Sequence, residues 1–91
     1  MSRQETDKYM SQVLGWNINS EGKKISKEFT FKDFKGSIAF INQVAELAES
    51  EGHHPDIDLH WGRVGVTLTT HAIHGLSEND FIVAAKIDQL R

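Results

Sequence analysis

The chain has no cysteine, a single proline and no long apolar run, and each shortage removes a class of explanation. Without cysteine there is no disulfide framework, no thiolate metal site and no thiol nucleophile, and the sequence suits a reducing compartment. No segment approaches the ~18 apolar residues of a membrane span, and the polar start MSRQETDKYMSQ has no apolar signal core, which predicts a cytoplasmic protein without membrane contact. A basic surplus is missing too: 10 Lys and Arg stand against 13 Asp and Glu, a net charge of -3, with no cluster of the kind that neutralises phosphates. Direct nucleic-acid binding is therefore disfavoured. Gly-rich phosphate loops and a G-x-S-x-G nucleophile elbow are also absent.

What is present is an ordinary globular balance, 38% hydrophobic and 25% charged over 91 residues, which predicts one domain spanning residues 1–91. A chain this short buries only roughly 60–65% of the surface its unfolded form exposes, so association of subunits is a natural source of extra stability.

Residues 2–14 read as a polar, partly amphipathic helix ended by Gly15. The segment WNINSEGKKISKEFTF reads as a hairpin, with Asn19, Ser20, Glu21 and Gly22 as the turn and with Ile25, Phe29 and Phe31 on one face of its second arm. From Ser37 to Glu51 the period becomes helical, through Ile41, Val44, Ala45 and Ala48 with Phe40 and Leu47 beside them; Gly52 closes this helix and Pro55 prevents its resumption. IDLHWGRVGVTLTTH reads as two extended stretches meeting near Gly62, with Val64, Val66 and Leu68 on one face. A last helix opens at Ser77 and Asp80, in the spacing of a capping box, and buries Phe81, Ala84, Ala85 and Ile87 or Asp88. The order α-β-β-α-β-β-α predicts an α+β fold, a four-stranded antiparallel sheet with its helices on one face.

Three of the five histidines fall in ESEGHHPDIDLHW, residues 49–61, around the only proline. His53 and His54 occupy a helix-to-strand connection, where an irregular backbone can present both rings; the plain alternative is exposed loop residues that complement the helix dipole. His60 and His74 fit that plain reading better. His71 closes a strand before the turn HAIHGL, a common edge of pockets. Asp80 is explained by the cap alone or by the cap together with a site role. Zinc is the rival chemistry, since histidines with Glu49, Asp56 or Asp58 are suitable donors, but adjacent His53 and His54 chelate one ion poorly and no H-E-x-x-H spacing occurs. Metal-free acid–base chemistry remains, because imidazoles donate and accept protons at neutral pH.

The spacing Glu49, His53-His54-Pro55, Trp61, His71, Asp80 resembles the signature of the pterin-4a-carbinolamine dehydratases, also known as dimerisation cofactors of a homeodomain transcription factor. Trp16, FTFKDFKGSIAFINQVAELAESEGHHPD, VTLTTH and GLSENDFIVAAKID extend the likeness over residues 14–90. The resemblance implies dehydration of 4a-hydroxytetrahydropterin to quinonoid dihydropterin in tetrahydrobiopterin recycling, supporting an aromatic amino-acid hydroxylase. It implies the pterin as substrate, without a separate cofactor or metal. It assigns His53 and His71 to acid–base catalysis, His54 to holding the pterin and Asp80 to orienting an imidazole or touching the ring. Glu49 falls at the pocket's edge, tuning imidazole charge, Pro55 shapes the loop, and Trp61 either stacks on the pterin or packs in the core. It further implies homodimers joined sheet edge to sheet edge, and homotetramers through helix packing. His74, where relatives have a small residue, and Gly62 and Gly65, where larger ones are expected, depart from the pattern. Two other readings stay open, a protein-interaction module with catalysis secondary or lost and a dehydratase fold serving another pathway, such as a molybdenum-pterin cofactor or the folding of another enzyme.

Overall fold

The computed structural model describes residues 1–91 as three helices and one sheet. Helix α1 spans Arg3–Met10, strand β1 Asn17–Ile18, strand β2 Ile25–Thr30, helix α2 Phe34–Glu51, strand β3 Asp56–His60, strand β4 Arg63–Leu68 and helix α3 Glu78–Asp88, with a 3₁₀ turn at His71–Ile73 before α3. The sheet is antiparallel throughout in the order β1-β2-β4-β3, so the expected α+β architecture holds. No helix is long and apolar enough to cross a membrane.

Alternation places Val64, Val66 and Leu68 of β4 and Ile25 and Phe29 of β2 on the face that the helices cover, all five essentially buried. Helix α2 meets them with Phe40, Val44 and Ala48, and α3 with Phe81, Val83, Ala84 and Ile87. Burying each large aliphatic or aromatic side chain of this set contributes about 1.5–3 kcal/mol. Helix α2 starts three residues before the expected Ser37, because Asp33 caps it by accepting from the Gly36 N–H at 2.8 Å. Ser37 then lies inside the helix, fully buried, with its hydroxyl on the Trp61 carbonyl at 3.1 Å.

Some expectations for the core are corrected. Ala45 and Ala85 face solvent, because each lies just off the stripe that the sheet covers. Helix α1 is shorter than residues 2–14 and buries none of its residues, Val13 beyond it being the first to enter the core. Lys27 shares the inner face of β2 with Ile25 and Phe29; its ammonium reaches Asp88 at 2.9 Å and the Leu14 carbonyl at 3.2 Å. Trp16 donates its indole N–H to the same Asp88 at 3.1 Å, so this carboxylate ties β2 and the β1 approach to the end of α3.

The two glycine departures separate. A Cβ at Gly62 would sit 2.9 Å from the Phe31 carbonyl oxygen, and Phe31 N–H donates to the Gly62 carbonyl at 2.8 Å, so only glycine lets the β3–β4 turn close on β2. A Cβ at Gly65 would make ordinary contact with Asp58, and nothing in the structure requires glycine there.

Candidate functional site

Helix α2 ends at Gly52, whose φ of 63° and ψ of 29° are left-handed, a conformation that glycine adopts without steric cost. The His53 N–H reaches back to the Ala48 carbonyl at 3.1 Å, completing the helix terminus and fixing the direction in which His53 leaves it. Pro55 follows, and the chain enters β3 at Asp56. His53 is thereby turned inward and His54 outward.

Inward, His53 Nε2 lies 2.5 Å from Asp80 Oδ1. Only 14% of the imidazole and none of the carboxylate is exposed. Because an ionised carboxylate only accepts, Nε2 is the donor and the neutral ring keeps its lone pair on Nδ1, which has no partner in the protein. The second carboxylate oxygen, Oδ2, accepts from the Thr70 hydroxyl at 2.8 Å and from the Ser77 N–H at 2.9 Å. Thr70 spends its one proton on Asp80, so the Ser77 hydroxyl, 2.6 Å away, donates to Thr70. Asp80 does cap α3 as expected, and it also collects donors from the end of β4 and from the α2–β3 connection. Every buried side-chain polar atom of the protein has a partner.

Outward, His54 Nε2 lies 2.7 Å from Glu49 Oε2, with 63% of the imidazole and 77% of the carboxylate side chain exposed. Glu49 therefore engages His54, not His53, one helical turn away. The left-handed Gly52 swings the chain so that the second histidine, not the first, returns along the helix side.

His71 opens the 3₁₀ turn just beyond Thr70 and is exposed. The loop from Thr70 to Gly75 is pinned at its base, where Thr70 N–H donates to the Gly75 carbonyl at 2.8 Å. No hydrogen bond joins the His71 ring to His53; their link runs through Thr70 and Asp80. His71 instead borders a polar hollow with Glu21, Lys23, Lys24, Thr69 and His74.

Trp61 is not gathered with these groups. It stands beyond the far end of β3, about 20 Å from Pro55 at the ~3.3 Å rise of a strand. It is also 67% exposed, so of its two expected roles core packing is corrected: the β3–β4 turn uses its carbonyl, on Ser37, and leaves the indole outside. His60 pairs with Asp58 at 3.0 Å on the open face of β3. No three His, Asp or Glu side chains converge as a metal would require.

Sequence reasoning missed Thr70 and Ser77 as supports of the site. Ser77 was visible as a helix cap; Thr70 could have been found from the even-numbered alternation Val64, Val66, Leu68, which continues to the inner face at residue 70. What this arrangement can do is hold one imidazole in a fixed orientation and tautomer, with a free nitrogen for proton transfer and a carboxylate to stabilise the imidazolium once formed.

A family model described as pterin 4 alpha carbinolamine dehydratase matches residues 1–90. Two bacterial relatives are provisionally named pterin-4-alpha-carbinolamine dehydratase. The one from Nitrosospira multiformis is 51% identical over 90 residues, covering 99% of this chain and 78% of the relative. The one from Azoarcus is 43% identical and covers 99% and 77%. Among solved structures, a transcriptional coactivator/pterin dehydratase from Brucella melitensis superposes with a TM-score of 0.92 at 32% identity, over 98% of this chain and 95% of that one. A pterin dehydratase-like protein identified as a RuBisCO assembly factor in the alpha-carboxysome superposes with a TM-score of 0.72 at 27% identity, over 84% and 88%.

Proposed function

This chain belongs to the pterin-4a-carbinolamine dehydratase family, and from that premise we propose that residues 1–91 act as one domain that removes water from 4a-hydroxytetrahydropterin, giving quinonoid dihydropterin. The observation that carries the reading is the buried His53–Asp80 pair beside an unpartnered Nδ1. In the reaction the C4a–O bond breaks as the hydroxyl leaves with one added proton, as water. The N5–H bond gives up its proton, and the nitrogen's electrons form the C4a=N5 double bond. One base and one acid suffice, and atoms and charge balance without a metal or a further cofactor; the pterin is the substrate.

His53 Nδ1 takes the N5 proton, and Asp80 stabilises the imidazolium that results. His71 delivers the proton to the departing hydroxyl. His54, held by Glu49, and Pro55 frame the side from which the ring enters. This assignment leaves Trp61 out of the ring's binding. The physiological setting is cytoplasmic recycling of the tetrahydropterin cofactor of an aromatic amino-acid hydroxylase.

Stopped-flow absorbance of 4a-hydroxytetrahydropterin decay tests the reading. Wild-type protein should accelerate the decay, and His53→Ala and His71→Ala should each lose roughly 10²-fold or more of that acceleration. Absence of acceleration by folded wild type would sink it.

A protein-interaction role has its own support. Strand β3 is exposed at all five residues and presents Ile57 and Leu59, with Trp61 beyond them, along a free sheet edge. The other edge, β1, has only two residues. An unpaired edge of this kind is a template for another strand. We infer that β3 joins a second copy of the chain as a homodimer, with homotetramers built by helix packing. Leu59→Asp should shift the light-scattering mass to that of a monomer. An unchanged mass would place the contact elsewhere.

A further inference from the structure

The hollow bordered by His71 is an open surface concavity of about 300 Å³ whose lining residues are all polar or charged: Glu21, Lys23, Lys24, Thr69, His71 and His74. It is fastened together by specific hydrogen bonds. The Thr69 hydroxyl donates to the Lys23 carbonyl at 2.7 Å, tying the β1–β2 hairpin to the end of β4. Asn19 Oδ1 accepts from the Lys23 and Lys24 N–H groups at 2.8 and 3.1 Å, which sets the hairpin's shape at the rim. Neither lysine has an ion-pair partner, while Lys27 and Lys86 both do. In a chain of net charge -3, two ammonium groups and two imidazoles thus surround a single carboxylate, Glu21.

His74 adds a second, independent observation. It is the one non-glycine residue with positive φ, at 52°, a conformation that costs an ordinary side chain on the order of 1–2 kcal/mol and that glycine would take freely. The imidazole kept there makes no hydrogen bond within the protein and borders the hollow. A residue held in this region at the rim of a concavity is a ground for a functional hypothesis.

We propose that this hollow is a subsite for an anionic group, a phosphate monoester or a carboxylate, on the side chain of the pterin substrate. The proposal rests on the dehydratase reading, and it makes His71 the hinge between the two parts of the site, one edge toward the reacting ring and one toward the tail. Lys23 and Lys24 supply charge-assisted donors, and His74 supplies another ring N–H. Glu21, in the same lining, offsets part of that positive charge.

The test compares 4a-hydroxytetrahydropterins that differ only in the side chain: a neutral dihydroxypropyl group, the same group as its terminal phosphate monoester, and a carboxylate. Wild type should show a KM for the phosphate form about tenfold below that for the neutral one, an advantage that falls as salt is raised. The double variant Lys23→Gln/Lys24→Gln should lose that advantage while kcat on the neutral substrate stays unchanged. His74→Gly should raise KM for the phosphate form and leave the fold more stable, by relief of strain. Equal KM values for charged and neutral substrates in wild type, or indifference of the double variant, would overturn the subsite while leaving the dehydratase reading intact. The carboxylate form should also show a KM below the neutral one, an advantage again lost in the double variant. Failure on every substrate would overturn both.

Discussion

His53 and His54 are neighbours in the chain, and each gives Nε2–H to a carboxylate at nearly the same distance, 2.5 and 2.7 Å, yet one pair is sealed and the other stands in water. The contacts alone would rank them as equals. Their surroundings separate them. Asp80 gathers three donors from three parts of the fold, whereas Glu49 holds His54 from the neighbouring helix turn and has solvent on its other sides. A pair of the first kind fixes an imidazole's orientation at all times. One of the second kind positions its ring only as firmly as water allows.

The sharpest way to break this comparison is Asp80→Ala. It leaves the His53 N–H, the Thr70 hydroxyl and the Ser77 N–H without their acceptor, all in places that water reaches poorly. Each donor left unsatisfied where water reaches poorly costs about 1–3 kcal/mol. The urea midpoint should fall accordingly, and dehydratase acceleration should fall with the His53→Ala value, since both lose the same oriented imidazole. Retention of full activity in a folded Asp80→Ala protein would remove Asp80 from the positioning role.

Thr70→Val tests the same side at constant shape by deleting one hydroxyl, which donates to Asp80 and accepts from Ser77. The net loss should be about 1–2 kcal/mol, with Thr70→Ser restoring most of it. Activity should drop less than in Asp80→Ala, because Ser77 still donates to the carboxylate. A Thr70→Ser protein that behaves like Thr70→Val would mean that the methyl group's packing, not the hydroxyl, matters at this position.

The site's pieces differed in how far the sequence disclosed them, and the reason is the range of the interaction concerned. Gly52, Pro55 and the Ser77–Asp80 spacing act within a few residues, so the connection carrying both histidines and the start of α3 were readable from local chemistry. The even-numbered face of β4 was readable for the same reason. The choice of partner for each histidine was not. It depends on a left-handed residue rotating the chain, and on a loop closing from Thr70 to Gly75 so that β4's inner face meets α3. Trp61 shows the same limit. Its spacing from the histidines suggested a shared site, but an intervening strand is rigid and extended, and it carries the indole to the opposite end of the sheet. Lys27 was hidden because a long apolar stem can occupy an inward position while its charge emerges at Asp88.

Gly52→Ala tests the rotation that makes the two pairs differ. Nothing lies within 4 Å of an added Cβ, so any effect comes from the backbone, whose φ of 63° costs an alanine about 1 kcal/mol. The loss should appear as a lower thermal midpoint. If the chain relaxes away from the left-handed conformation, both histidines shift, and the activity loss should exceed the modest change in stability. A variant with unchanged activity would show that the strain is absorbed without moving either ring.

Glu49→Gln should do least. The amide oxygen can still accept from His54, the pair is mostly solvated, and exposed ion pairs contribute about 0.2–1 kcal/mol, so the change in stability should fall within ~0.5 kcal/mol. What the substitution removes is the charge beside His54, and if that ring holds the pterin, KM should rise a few-fold with kcat unchanged. A double-mutant cycle makes the contrast quantitative. The coupling of His53 to Asp80 should exceed that of His54 to Glu49 severalfold in both stability and catalysis, because a buried pair has no water to replace a lost partner. Equal couplings would mean that burial does not set the roles of these two histidines, and the acid–base assignment would have to be redrawn around His54.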